Sequence, residues 1–438
     1  MGSFVPTTPS EREQMLKTIG VGSVEELFRD VPQEMRIDGY LDLPSGKSEM
    51  ETLESVSALA EKNHVFRTCL RGAGSYRHYI PAAVKAIVNR EEFVTAYTPY
   101  QAEISQGILQ AIFEYQTMLC ELTGMDVSNA CVYDGGTAAA ESITMCRDRK
   151  RTKAYVSATT DPQVIEVMKT YCFGTDVELT VVPQKDGRTD PEALRSLLGQ
   201  DAACFYVQQP NFYGLLEEAE LLGEITHAAG AKYVMGVNPI SLAILKTPAE
   251  CGADVAVGEG QPLGLDTAFG GPYLGFMTAS SAMMRKLPGR IVGQTVDTEG
   301  ETGYVLTLSA REQHIRREKA SSNICSNEQL CAFTAAVYLS AMGEKGLRQA
   351  ATLCTSKAHY FAQQLEEKLG WKRVHPGEFF HEFVTECPDT EKALAALAAH
   401  DILGGLPVEG GILWCVTEVV TKERLDEAVA ILQEVSCG

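Results

Sequence analysis

Residues 251–276 read Cys251-Gly-Ala-Asp-Val-Ala-Val-Gly-Glu-Gly-Gln-Pro-Leu-Gly-Leu-Asp-Thr-Ala-Phe-Gly-Gly-Pro-Tyr-Leu-Gly-Phe276. Asp254 to Val257 is a short buried strand, Gly258 to Pro272 a glycine-rich loop, and Tyr273 to Thr278 a second strand leading back into the same sheet. A strand that runs into glycines brings backbone close to whatever the sheet edge binds, so the stretch reads as the lip of an active site. It lacks one residue type: no lysine occurs between Lys246 and Lys286.

Upstream, the pattern predicts strands at Lys153 to Ala158, Val177 to Val182, Ala203 to Gln209 and Lys232 to Val237. They alternate with helices opened by Asp161-Pro162 and Asp190-Pro191 and with a third helix at Glu217 to Ala229. An Asp cap followed by Pro in the first turn is a strong helix start. Alternating elements of this kind imply an α/β fold with a mostly parallel sheet, covered on both faces and binding ligands at the carboxyl ends of its strands. Ahead of it, Ile104, Ile108, Ile112, Tyr115, Leu119 and Leu122 mark one face of a long core helix that Gly124 ends. Tyr133-Asp-Gly-Gly-Thr137 is a turn entering another helix, where free N–H groups and the helix dipole favour an anion, although most such turns bind nothing.

The flanks are simpler. Ser10-x-x-Glu13, Ser23-x-x-Glu26 and Ser48-x-x-Glu51 are capping boxes and predict a helical N-terminal arm. Arg71 to Pro81 reads equally as a tight loop with surface aromatics or as a wall of a ligand cleft. Arg290 to Lys319 predicts a loop and short hairpin whose charges are either a solvated face or a flap, followed by helices over 327–369. Trp371 to Gly438 reads as strand, helix, strand, helix, a small α+β domain. The expected domains are 1–95, the arm and cleft segment; 96–325, the large α/β domain; and 326–438, the helices and small C-terminal domain.

Composition excludes several classes. The 438 residues are 45% apolar with net charge -20, which argues against nucleic acid or an anionic membrane as partner. No apolar run reaches the length of a membrane span, and the N-terminus has no basic or apolar leader, so a cytoplasmic protein is expected. The 13 cysteines are scattered without a CxxC pair, as expected of reduced core thiols rather than a disulfide or zinc framework. No metal site is expected.

Five motifs, taken in order, carry a family resemblance: Gly72-Ala-Gly-Ser-Tyr-Arg-His-Tyr-Ile-Pro81, Tyr97-Thr-Pro-Tyr-Gln-Ala-Glu-Ile-Ser-Gln-Gly107, Phe113-Glu-Tyr-Gln116, Asp134-Gly-Gly-Thr-Ala-Ala-Ala-Glu141, and Arg311-Glu-Gln-His-Ile-Arg-Arg-Glu-Lys-Ala-Ser-Ser-Asn-Ile-Cys325. They resemble the decarboxylating glycine dehydrogenases, the P-proteins of the glycine cleavage system, and in particular the alpha, or N-terminal, half of the split two-subunit form. The resemblance implies an aminotransferase-like fold, in which a lysine in the stretch quoted above would hold pyridoxal phosphate. Gln261 stands at or beside that position, and an amide cannot form an imine. An Asp one strand earlier would keep the pyridine ring protonated, whereas the corresponding place near Met235 has no carboxylate.

The resemblance therefore implies a chain without a self-sufficient catalytic set. Its beta partner, in an α2β2 assembly, would bind pyridoxal phosphate, decarboxylate glycine and pass an aminomethyl group to the lipoyl arm of H-protein. Tyr97, Thr98, Pro99 and Tyr100 are the first candidates for reaching the partner's site, and His314, Arg316 and Arg317 the second, as a gate; packing or interface duty is the alternative for each. Gly135, Gly136 and Thr137 are read as a weak remnant of a phosphate seat. Two other functions compete: an autonomous pyridoxal-phosphate enzyme using Lys246 or Lys286, and a purely structural subunit. Cys325, in the flap, is a candidate redox thiol.

Overall fold

The computed structural model describes residues 6–37, 39, 41–96, 98–268, 271–320, 322–324 and 328–437. The chain forms two compact units, Met1–His64 and Val65–Gly438, so residues 65–95 belong with the larger body. The smaller unit holds the helices Pro9–Ile19 and Glu49–Ala60. Ser48 and Glu51 cap the second helix reciprocally. The first is capped by Thr8 with Glu11 rather than by Ser10 with Glu13. Two boxes overlap there, and Pro9 decides between them, because a residue without an N–H fits best just after the cap. Ser23 and Glu26 open only a single turn, Glu25–Phe28. Neither helix buries a residue, and Met50, Leu53, Val56 and Leu59 stand exposed.

The larger unit is built on a seven-stranded sheet. In chain order its strands are β1 Val127–Ser128, β2 Lys153–Ser157, β3 Leu179–Val182, β4 Ala202–Gln209, β5 Lys232–Val237, β6 Val255–Glu259 and β7 Gly275–Ala279. They lie side by side in the order β1-β7-β6-β5-β4-β2-β3, with β7 antiparallel to both neighbours and the remaining pairs parallel. Each predicted strand is found within two residues of its expected start. Along β4, Phe205 and Val207 enter the core on one face while Cys204 and Tyr206 enter the core on the other. That two-sided burial is what a parallel sheet requires.

Local chemistry sets the helices that cover the sheet. Asp161 and Asp190 cap Pro162–Thr175 and Pro191–Leu197 through their carboxylates. Gly124, at φ 71°, ends the helix Gln106–Thr123 in the left-handed conformation that glycine adopts without strain. Against that helix packs the hairpin Ile291–Val296 with Thr302–Thr307, which precedes three short helical turns over 309–319. The helix Gln329–Leu369 changes direction at Gly343, where φ is 59°. Its second half supports a small domain with its own core of Phe361, Trp371, Phe383 and Trp414. The expected strand, helix, strand, helix order there gains a further hairpin, Leu406–Val408 with Gly411–Cys415. Among the described residues, no helix is long and apolar enough to cross a membrane.

Candidate functional site

The carboxyl ends of β4, β5 and β6, the helix starts at Gly135 and Pro162, the segment Ala73–Tyr76 and the start of the strand Glu382–Thr385 enclose a cavity of about 440 Å³. This is where an open α/β sheet binds ligands. Arg71 to Pro81 is thus a cleft wall at its centre, and Tyr76 is buried.

The helix start at Gly135 is filled from inside the chain. The Gly135 N–H donates to Glu259 Oε2 at 2.9 Å, and the Thr137 N–H donates to Asp134 Oδ1 at 2.7 Å. Glu259 Oε1 also accepts from the Gln261 and Leu274 N–H groups, each at 2.9 Å. Burial still pushes the Glu259 carboxyl up to about 7, with neighbouring Asp134 adding to the rise. Across the cavity, Glu382 accepts from the Ala73 N–H at 2.7 Å and from the Tyr76 hydroxyl at 2.8 Å. Burial likewise raises its carboxyl to about 7, and Asp161 acts in the same direction. Asp161, itself raised by burial, accepts from the Gln163 N–H at 2.8 Å.

Among the described residues, no lysine or arginine lines this cavity. His381, also in the wall, is held neutral because burial drives its imidazole down to about 3. The lining is therefore four carboxylates without a cation.

These residues do not fit pyridoxal phosphate. The N–H groups that would take a phosphate are engaged by Glu259 and Asp134, and a phosphate dianion would face like charges in a partly desolvated space. Gln261 is buried and bonded, accepting from the Tyr76 N–H and donating to the carbonyls of Tyr76 and Leu265, each within 2.9 Å. Met235 lies in the core, fully buried, and is not part of the cavity lining. Gly236, Val237 and Asn238 meet the cavity instead, and Asn238 brings a neutral amide.

The other sequence candidates form a second cluster. Arg290, itself buried, donates to the Tyr100 hydroxyl at 2.9 Å and lies over the Tyr100 ring at 5.1 Å. The His314 ring meets Tyr100 edge-on at 6.0 Å. Pro99 is buried between the half-buried Thr98 and the exposed Tyr100. Arg316 donates to the Ala310 carbonyl at 3.2 Å and, like Arg317, is exposed. The structure thus brings Tyr100 and His314 together across more than two hundred residues of sequence and adds Arg290, which the sequence reading passed over. Tyr97 and Cys325 lie outside the described residues.

Sequence reasoning also missed most of the cavity lining. Glu259 stood in the opening stretch and Asp161 was read only as a cap. His381 and Glu382 carried no signal, because only the folded small domain carries them to the sheet edge.

Strand order, cavity position and glycine lip define a fold type I pyridoxal-phosphate transferase architecture. A sphingosine-1-phosphate lyase of Burkholderia pseudomallei shares it, with TM-score 0.67 at 12% identity over 92% of this chain and 94% of the lyase chain. The family model for the glycine cleavage system P-protein matches residues 2–432. A crystal structure of glycine decarboxylase (P-protein) of the glycine cleavage system, in inhibitor-bound form, superposes with TM-score 0.91 at 41% identity, covering 99% of this chain and 100% of that one. A Desulfitobacterium hafniense protein described as "probable glycine dehydrogenase (decarboxylating) subunit 1" is 47% identical over 99% of this chain and 100% of its own length. The chain belongs to the glycine cleavage system P-protein family, among the subunit 1 proteins.

Proposed function

We propose that this chain is the lysine-free alpha subunit of a decarboxylating glycine dehydrogenase and forms one wall of a site completed by a beta subunit. In this reading the beta subunit holds pyridoxal phosphate, decarboxylates glycine and transfers the aminomethyl group to the lipoyl arm of H-protein, within an α2β2 assembly. One observation carries it: the chain has the architecture of the cofactor-binding family, yet no lysine occurs between Lys246 and Lys286, Gln261 stands at or beside the expected anchoring position, and Glu259 occupies the N–H group at the Gly135 helix start. The cofactor must then be held by another chain, and the subunit numbering of the relatives supports a partner.

Tyr100, His314, Arg316 and Arg317 supply the surface for that role, with Thr98 and Pro99 preceding Tyr100 in the chain. Exposed guanidinium groups suit a carboxylate such as that of glycine, and rings suit the apolar stem of a lipoyl arm. The exposed apolar residues of the first unit, among them Met50, Leu53 and Val56, support an arm that packs on a partner.

The test is glycine–bicarbonate exchange measured with this chain and pyridoxal phosphate, then after adding the beta subunit. Exchange only in the mixture is the expected result. Exchange by this chain alone would make it the autonomous enzyme and refute the proposal. Full exchange by the complex after Tyr100→Phe and His314→Ala together would reduce the chain to a structural subunit.

A further inference from the structure

Beside the cleft, three side chains of different chemistry meet inside the fold. His78 lies in the segment that forms the cleft wall, Cys354 in the second half of the helix Gln329–Leu369, and Glu418 just after the strand Gly411–Cys415. One atom from each, an imidazole nitrogen, the thiol sulfur and a carboxylate oxygen, lies within 4.8 Å of the other two. Among the described residues no other set of His, Cys, Asp and Glu side chains is gathered in this way, and none of the three lines the cleft. No window of sequence shows the set, since His78 and Glu418 are 340 residues apart.

The contacts converge on one oxygen. His78 Nδ1 donates to Glu418 Oε2 at 2.7 Å, and the Cys354 thiol donates to the same atom at 3.3 Å. Glu418 Oε1 accepts from the Tyr79 N–H at 2.7 Å, which orients the carboxylate from its far side. Lys357 donates to the Glu418 backbone carbonyl at 2.6 Å and leaves the carboxylate to the other two. The His78 side chain is 2% exposed and Cys354 is fully buried. Bonds of about 2.0 Å to nitrogen and oxygen and about 2.3 Å to sulfur place the donors of a tetrahedral zinc ion about 3–4 Å apart, a scale these donors already share.

The mixed donor set selects zinc. Imidazole and thiolate suit borderline-soft ions, whereas Mg²⁺ and Ca²⁺ take shells of oxygen. On binding, the thiol releases its proton to solvent and the imidazole coordinates through Nδ1, any proton there passing to Nε2, which has no partner within the chain. One thiolate and one carboxylate then cancel the charge of a divalent ion, so the filled set buries no net charge.

We propose that His78, Cys354 and Glu418 form a structural Zn²⁺ site that ties the cleft wall to the small domain, with the fourth position left to water. All three ligands belong to this chain, so the proposal stands whether or not a beta subunit completes a catalytic centre.

The full chain, alone and in complex with the partner subunit, is stripped with a chelator and titrated with Zn²⁺ and, as a coloured probe, with Co²⁺. The expected result is one ion retained per chain, a sulfur-to-cobalt charge-transfer band, and a thermal midpoint raised by Zn²⁺ but not by Mg²⁺. X-ray absorption of the zinc form should find one sulfur at about 2.3 Å among nitrogen and oxygen ligands. Cys354→Ser, and Glu418→Gln, which keeps an acceptor for the Tyr79 N–H, should each weaken Zn²⁺ binding roughly a hundredfold. Cys387→Ser, at a half-buried thiol outside the set, should leave it unchanged. Three outcomes would overturn the proposal: no ion retained, a zinc shell with no sulfur or more than one, or binding unchanged by both ligand substitutions, as for an adventitious ion on other thiols. Because the absorption measurement uses the unmodified chain, a variant that fails to fold leaves the test intact.

Discussion

Glu382→Gln is expected to make the protein more stable as pH rises. Glu382 is buried, its carboxyl lifted from 4.5 to about 7 first by burial and then by Asp161, and among the described residues no lysine or arginine lines its cavity. A carboxyl raised in this way holds its proton more tightly in the fold than in the unfolded chain. Its contribution to stability is therefore complete below about pH 4.5 and lost as pH climbs through about 7. A shift of about 2.5 units at about 1.4 kcal/mol per unit amounts to about 3 kcal/mol. Glutamine has the shape of the protonated acid and carries no charge at any pH. The stability difference between Glu382→Gln and the parent should thus grow by about 3 kcal/mol in favour of the variant between pH 4.5 and pH 8.5. Urea unfolding followed by tryptophan fluorescence reads the right region, because Trp371 and Trp414 are both buried in the small domain and Trp414 pairs with Phe383, the next residue. A difference that stays constant across that pH range would refute the reasoning, since it would mean that Glu382 is neutralised in the fold by something other than a proton.

Other perturbations address the remaining parts of the site. Gly135→Ala would set a Cβ 2.9 Å from the Glu259 backbone nitrogen, so the helix start must shift, costing about 1–3 kcal/mol in a thermal-unfolding comparison. Gln261→Lys should leave the chain without a visible absorbance band on addition of pyridoxal phosphate, since Glu259 still closes the seat; losing three hydrogen bonds should also destabilise it by about 3 kcal/mol. Thr8→Ala should loosen the first helix by about 1 kcal/mol, visible as faster amide exchange over residues 9–19, while Ser10→Ala should not. Tyr100→Phe in the assembled enzyme should lower exchange activity about tenfold, equivalent to about 1.4 kcal/mol, with sedimentation unchanged, because it removes the hydroxyl that anchors Arg290 and keeps the ring.

Much of the molecule was legible as sequence because its cues are local. Asp-Pro starts, a glycine stop at Gly124 and apolar runs of strand length act over a few residues, so the βα succession and its parallel sheet could be written down before any coordinates. The absence of a lysine between Lys246 and Lys286 was equally plain, and with it the expectation that no cofactor is anchored covalently at or beside Gln261. Where local cues competed, as with the two overlapping capping boxes at the first helix, the choice turned on one proline.

What only the tertiary structure decided is the character of the cleft. Asp134, Asp161, Glu259 and Glu382 are spread over about 250 residues, and each alone reads as a cap, a turn residue or a strand residue. Their meeting depends on the strand order, on the turn at Gly343 that brings the small domain back, and on burial that no window of sequence measures. Electrostatic energy depends on distance and desolvation, both properties of the packed chain, so the closing of the helix start by Glu259 and the carboxylate lining of the cleft became visible only once the sheet had gathered those residues at one edge.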